Sequence, residues 1–342
     1  MRAFACGNCG QLLFFENTVC LRCGSPLGFV ESRLDLITLG DPDGAGDGLR
    51  RCANTVLASC NWMLSQDDAK ALCGSCRLTR TRPGDGDFQA LAAFAQAESA
   101  KRRLLFQLLD MALPVRRDSL RFDLLSSAGG PVATGHEDGL ITIDLAESDD
   151  VRREQRRAEL GEPYRTMLGH FRHEIAHYYW PLLVERDAAA LDRCRALFGD
   201  ERADYAAAQE RHYAEGPPAD WEQAHVSAYA TMHPWEDWAE TFAHYLHIRD
   251  TLQTAGAFGL VVAGPDPVDD PALTSVPKVD TREESIESVI ASWLPLTYAL
   301  NAVNRSMGLG DLYSFTLAPA VIDKLGYVHQ MILAAASDRA LT

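Results

Sequence analysis

The chain has 342 residues, 47% of them hydrophobic and 23% charged, with a formal net charge of −16. That length accommodates two or three domains with a sizeable core, and no apolar run approaches the roughly 20 residues of a membrane helix, so the pattern is that of a soluble globular protein without a membrane partner. Residues 1–82 carry nine Lys/Arg against eight Asp/Glu, which leaves 23 against 40, or −17, on the remainder; a body so acidic repels phosphate backbones, argues against nucleic acid as a partner and favours a basic or neutral substrate.

The opening MRAFACGNCGQ lacks the apolar stretch of a signal peptide. Together with nine cysteines, this predicts a cytoplasmic protein whose thiols hold metal rather than disulfides. Cys6-x-x-Cys9, ten residues and Cys20-x-x-Cys23 form a zinc-ribbon pattern over residues 1–30. Each CxxC turns tightly beside a glycine, so both thiolates face one ion, and the apolar LLFFENTV between the pairs suits a short hairpin. Four thiolates close a tetrahedral zinc and leave no open position, which makes the site structural. Gly, Asp and Pro cluster from Gly40 to Gly48 as a loop or linker. Cys52, Cys60, Cys73 and Cys76 then predict a second structural zinc within residues 31–85, a segment with too little apolar material to fold easily without metal. Cys194 stands apart and reads as an ordinary thiol.

Phe88–Leu113 is Ala- and Leu-rich with helical spacing and predicts one long helix stopped near Pro114, its AKRRL charges serving as scaffold. RFDLLSS and Gly139–Glu147 predict strands, the second after the turn signal GHEDG. Helix resumes through residues 149–180, in two pieces broken at Gly161-Glu162-Pro163, with Pro181 ending or kinking it after Trp180. Residues 185–215 are again helical, and His233–Leu252 predicts a strong amphipathic helix with Pro234 near its start. The Gly/Pro/Asp-rich stretch that follows reads as an exposed flap, and two more helices close the chain.

The chemistry concentrates in GHFRHEIAHYYW and WEDWAETFAHYLH. On a helix His173 and His177 project from one face, where two imidazoles grip one zinc, and Glu174 beside them is placed to take a proton from a metal-bound water. Leu168, Phe171 and Ile175 keep an apolar stripe, so this helix packs in a core. Catalytic zinc takes three protein ligands and a water. Glu236, Asp237 and Glu240 are the downstream candidates. Paired carboxylates at 236 and 240 among Trp238, Ala239, Phe242 and Ala243 need a cation or a donor. Glu236 is assigned as the third ligand and Glu240 as the acceptor that fixes a ligating histidine's tautomer.

These residues carry a resemblance. HEIAH with the later EDWAE resembles the gluzincin branch of zinc metallopeptidases, which implies Glu236 as ligand and Glu240 as the supporting acid. The interval of 58 residues between His177 and Glu236 exceeds the shortest gluzincin spacing and keeps Glu240 open as a ligand. The paired CxxC ribbon, CNW…CGSCRLTRT, AKRRLLFQLL, TGHEDGLITIDLAE, GEPYRTMLGHFRHEIAHYYW and EDWAETFAHYLHI together resemble a family of bacterial zinc-binding metallopeptidases with an N-terminal zinc ribbon.

The resemblance implies an α+β protein. A zinc ribbon (1–30) and a second cysteine-rich segment (31–85) would precede a mostly helical zincin-like metallopeptidase domain (86–342) with a small β-sheet. It implies one catalytic and one or two structural zinc ions. The strand Gly139–Glu147 would offer a free edge to an extended peptide. Tyr178, Tyr213, Tyr229, His233 and His244 are candidates for stabilising an oxyanion. The expected partner is a protein or peptide substrate, with protein docking through the ribbon. The competing functions are a zinc hydrolase of a non-peptide amide and a non-enzymatic zinc-module adaptor.

Overall fold

The computed structural model describes residues 2–148, 166–265, 268, 270–280 and 284–340. The chain divides into two compact units, Met1–Arg153 and Glu154–Thr342. In the first, each CxxC turn reverses the chain. β1 (Phe4–Ala5) pairs antiparallel with β2 (Leu12–Leu13) around Cys6 and Cys9, and Val19 bridges Pro26 around Cys20 and Cys23. Gly10 and Gly24 close the two turns at φ +71° and +73°, each donating its N–H over 2.8 Å to the carbonyl of Cys6 or Cys20. Glycine adopts that left-handed conformation at no steric cost. The hairpin expected inside LLFFENTV is therefore replaced by two pairings that straddle the cysteine turns.

β3 (Leu27–Val30) pairs with β4 (Asp35–Thr38), and β5 (Leu49–Arg51) with β6 (Met63–Ser65), both antiparallel. Phe15, Phe29, Trp62 and Phe106 fill the space between the cysteine modules and α1 (Phe88–Asp110). Ring centroids lie 5.0 Å apart for Phe15–Phe29, 4.9 Å for Phe29–Trp62 and 5.1 Å for Phe15–Phe106. Asp87 caps α1 by accepting from the N–H of Ala90. Arg103 of the AKRRL run is 41% exposed, but the other two charges are buried: Lys101 pairs with Glu98 at 2.5 Å, and Arg102 donates over 2.9 Å to the carbonyl of Ala58. They brace the loop that carries the second cysteine set.

β7 (Thr79–Thr81), β8 (Arg121–Leu125), β9 (Gly135–Glu137) and β10 (Leu140–Asp144) form one sheet in the order β7-β8-β10-β9. β10 runs parallel to β8 and antiparallel to β9. This corrects the expectation of a free peptide-binding edge at Gly139–Glu147. The strand spans Leu140–Asp144, a 3-10 turn takes Leu145–Ser148, and both flanks of Leu140–Thr142 are paired. The physical reason lies in GHEDG. Its first three residues are themselves a strand, and Asp138-Gly139 is a two-residue hairpin loop with φ of +47° and +82°, the conformation such loops require.

The second unit is helical: α2 (Met167–Leu183), α3 (Ala188–Phe198), α4 (Tyr205–Glu215), α5 (Pro234–Ala257), α6 (Ile286–Ser306) and α7 (Pro319–Ala340). The expected break at Gly161-Glu162-Pro163 lies outside the described residues. Pro181 does not end α2, which continues to Leu183. A proline in the last turn forfeits one backbone bond, and the N–H of Val184 donates to Trp180 over 2.9 Å to close that turn. Residues 185–215 are two helices, parted at Gly199 with φ +98°.

α5 is the axis of this unit and packs most extensively on α2. Trp238 lies edge-on to Trp180 at 5.4 Å, Phe242 stacks on Tyr179 at 5.7 Å, and Trp238 Nε1 donates to the carbonyl of Ala176 over 2.9 Å. Truncating a buried tryptophan of this kind costs about 3–5 kcal/mol. The two helices are thereby locked in register, and that register aligns their polar faces. No helix among the described residues is long and apolar enough to cross a membrane.

Candidate metal centre

His170, His173, Glu174 and His177 fall at i, i+3, i+4 and i+7 on α2, the spacing that normally buries an apolar stripe. Here the stripe is polar and still largely enclosed, with Glu174 and His177 each 5% exposed. Thr166 sets the start of α2 by accepting from the N–H of Gly169 over 2.9 Å. Facing it, α5 begins at a fixed point: His233 accepts the N–H of Trp235 on Nδ1, donates from Nε2 to the carbonyl of Ala203 over 3.0 Å, and precedes Pro234. Glu236 then sits in the first turn of α5 and Glu240 one turn further along the same face.

The two faces meet at His173. Its Nε2 lies 2.9 Å from Oε2 of Glu236, and its Nδ1 lies 2.7 Å from Oε1 of Glu240. Nε2 of His177 is 3.7 Å from the same Glu236 oxygen. One donor atom from each of His173, His177 and Glu236 falls within 4.8 Å of the others. The ring of His177 stacks on Trp235 at 5.4 Å. Glu240 also accepts the hydroxyl of Ser227 over 2.6 Å, and Glu236 accepts that of Tyr205 over 2.9 Å on its other oxygen.

The arrangement suits a cation. With its Nδ1 hydrogen given to Glu240, a neutral His173 turns a bare lone pair toward Glu236. Oε2 of Glu236 accepts no hydrogen bond among the described residues, although the side chain is buried. Two facing acceptors repel unless a positive charge stands between them. Without metal a proton fills that role. Burial disfavours the imidazolium of His173, yet Glu236 and Glu240 hold its pKa well above the ordinary histidine value. Burial likewise opposes ionisation of Glu236, but His173 and His177 hold it far below the usual carboxylate range. Three protein donors with no fourth among the described residues is the donor set that leaves zinc a position open.

Asp237 turns away from this cluster. It pairs with Lys324 at 2.6 Å, and burial pushes its carboxyl up to about 7 in spite of that partner. The structure brings Glu240 against His173 Nδ1 and not among the grouped donors.

Both cysteine sets also converge. Sγ–Sγ separations are 3.6 Å for Cys6–Cys23 and Cys9–Cys20, and 3.6 Å for Cys60–Cys73. A tetrahedral zinc with bonds near 2.3 Å sets thiolate sulfurs about 3.8 Å apart, whereas a disulfide would bring them to about 2.0 Å. The four donors of each set, Cys6/Cys9/Cys20/Cys23 and Cys52/Cys60/Cys73/Cys76, lie within 4.8 Å of one another. Cys194 belongs to neither set; it is buried, and burial pushes its thiol up to about 12.

A family model described as "Putative zinc-binding metallo-peptidase" matches residues 90–331, and a zinc-ribbon model matches residues 3–87. The chain belongs to this zinc-binding metallopeptidase family. It is also similar to uncharacterized proteins of Mycobacterium bovis and of two strains of Mycobacterium tuberculosis. Each is 51% identical over 99% of this chain and 97% of its own length. No solved structure matches. The zinc-ribbon model spans both cysteine sets of this metallopeptidase-family chain.

Of the residues suggested for an oxyanion, Tyr229 lies against the site, its ring 6.0 Å from that of His173. Tyr178 is buried against Tyr179, Tyr213 is exposed, His233 is spent on the helix cap, and His244 bonds the hydroxyl of Tyr313 at 2.8 Å. Sequence reasoning missed Tyr205. Its position follows from Asp204, whose side chain caps α4 by accepting from the N–H of Ala207 and makes Tyr205 the first helical residue.

Proposed function

We propose that this chain is a zinc-dependent peptidase that cleaves a peptide bond with metal-activated water, using His173, His177 and Glu236 as ligands and Glu174 as general base. The 2.9 Å approach of His173 Nε2 to Glu236 Oε2 carries the reading, because two acceptors so close need a cation between them. Zinc bound there supplies a Lewis acid that polarises the scissile carbonyl and lowers the pKa of a water.

The rest is done by the chain's own groups. Glu240 takes the Nδ1 hydrogen of His173, holds the ring in one tautomer and raises its basicity toward metal. Ser227 holds the other oxygen of Glu240. Burial would push Glu174 up, but its hydrogen bond with His170 and the three nearby histidines hold it below the usual carboxylate range. It is therefore ionised at neutral pH, ready to accept the water's proton and deliver it to the leaving amine. The two cysteine sets are read as structural zinc sites, since four thiolates leave no room for substrate.

The test is turnover of a synthetic peptide library by the full chain before chelation, after removal of metal, and after zinc is restored. Cleavage that disappears and returns with zinc supports the peptidase. Cleavage confined to non-peptide amides would move the reading to another hydrolase. A central zinc closed by four protein donors, with no turnover, would make the chain an adaptor.

A further inference from the structure

We propose that His170 is a positioning residue that aims Glu174, so that the Glu174 oxygen facing the reaction is Oε2; this rests on the peptidase reading above. The two side chains are one helical turn apart on α2, and Nε2 of His170 lies 3.0 Å from Oε1 of Glu174. The other carboxylate oxygen, Oε2, is buried and accepts no hydrogen bond among the described residues.

A glutamate has three rotatable bonds, and one hydrogen bond to a neighbour on the same rigid helix removes most of that freedom. His170 holds one oxygen and leaves the second as the sole acceptor for a water proton. Both groups sit on α2, so the alignment exists before metal or substrate arrives. The choice of residue matters. A lysine or arginine would reach the carboxylate through a long, flexible stem, whereas an imidazole presents a ring N–H donor on a side chain with only two rotatable bonds. The HExxH pattern therefore extends one turn upstream in this chain, to His170-x-x-His173-Glu174-x-x-His177.

The experiment compares the zinc-loaded full chain with His170→Ala, His170→Gln and Glu174→Ala. Three measurements are made: zinc content, kcat and KM on a synthetic peptide library, and the histidine ring-nitrogen NMR spectrum. His170→Ala should keep its zinc and its KM and lose about 10²-fold in kcat, the scale of a misaimed catalytic group. His170→Gln places an amide N–H at similar reach and should recover most of that loss. The Nε2 resonance of His170 should be that of a hydrogen-bonded N–H and should move in Glu174→Ala. Unchanged kcat in His170→Ala, loss of zinc from it, or a ring resonance indifferent to Glu174→Ala would each overturn the proposal. If the wild type cleaves no peptide, the peptidase reading fails by itself, and the ring resonance still decides whether His170 holds Glu174.

Discussion

Nδ1 of His173 lies 2.7 Å from Oε1 of Glu240, while Nε2 of the same ring faces Glu236 at 2.9 Å. The two carboxylates sit one helical turn apart on α5 but have different tasks, because they meet opposite nitrogens of one imidazole. Glu236→Ala should release the central metal, since it removes a donor atom. Glu240→Ala should keep the metal with about 10–100-fold weaker affinity, since it removes only the group that orients and polarises a ligand. Chelator competition on both variants decides the matter, and the reverse ranking would make Glu240 the ligand.

The parts of this site that were legible in the sequence are local. His173, Glu174 and His177 share a face because a helix repeats every 3.6 residues. The CxxC pairs converge because each turn is only four residues long. Glu236 and Glu240 stood out as acids one turn apart among Trp238, Ala239, Phe242 and Ala243. What escaped reading depends on chain segments meeting at a distance. Tyr205 reaches Glu236 from a helix 31 residues upstream, and Ser227 reaches Glu240 from a loop; neither has a periodic signature. The free strand edge failed for another reason. A three-residue strand hidden in GHEDG has too few side chains to show alternation, so β9 read as turn and β10 as exposed.

The cysteine sets make a countable prediction. The full chain purified without added metal should carry up to three zinc ions. The double variant Cys6→Ser, Cys9→Ser should lose one and keep the other two, because the second set and the histidine site use separate donors. Cys60→Ser should lose a different one, and it should also destabilise the first unit, where Cys60 is fully buried. Metal analysis of each variant beside wild type checks this, and a full zinc complement in the double variant would remove the ribbon assignment.

In the same unit, Arg80 donates to Asp123, and that hydrogen bond, against burial, holds the Asp123 carboxyl below its ordinary value. The unfolded chain has the usual aspartate pKa of about 3.9. A group depressed on folding stabilises above that value and loses its contribution as pH falls through the folded pKa. Arg80 is more than half exposed, so solvent screening limits the effect to about 1 kcal/mol. Asp123→Asn should therefore unfold at lower denaturant than wild type at pH 7, and the gap should narrow progressively as pH falls below about 4. Comparing the two proteins at each pH cancels any acid loss of metal common to both. A gap of the same size at pH 7 and pH 3.5 would show that charge is not its origin.

Glu174 separates an enzyme from a scaffold. It is buried on the helix that carries His173 and His177, yet it belongs to none of the three donor groups. Its Oε1 is held by His170 and its Oε2 by no protein group among the described residues. A carboxylate kept ionised in a buried setting and left half unsatisfied is costly unless that free oxygen has work to do. Glu174→Gln nearly preserves volume and can still accept the hydrogen bond from His170, but it cannot take up a proton. Folding and zinc content should stay close to wild type. Peptide hydrolysis should fall by at least the roughly 10²–10⁴-fold that general base catalysis contributes, with further loss as the water is no longer oriented. The measurement is turnover of the same peptide library by both proteins at matched zinc content. Loss of zinc from the Gln variant would make Glu174 part of the metal cradle, and equal turnover by both proteins would place the base elsewhere.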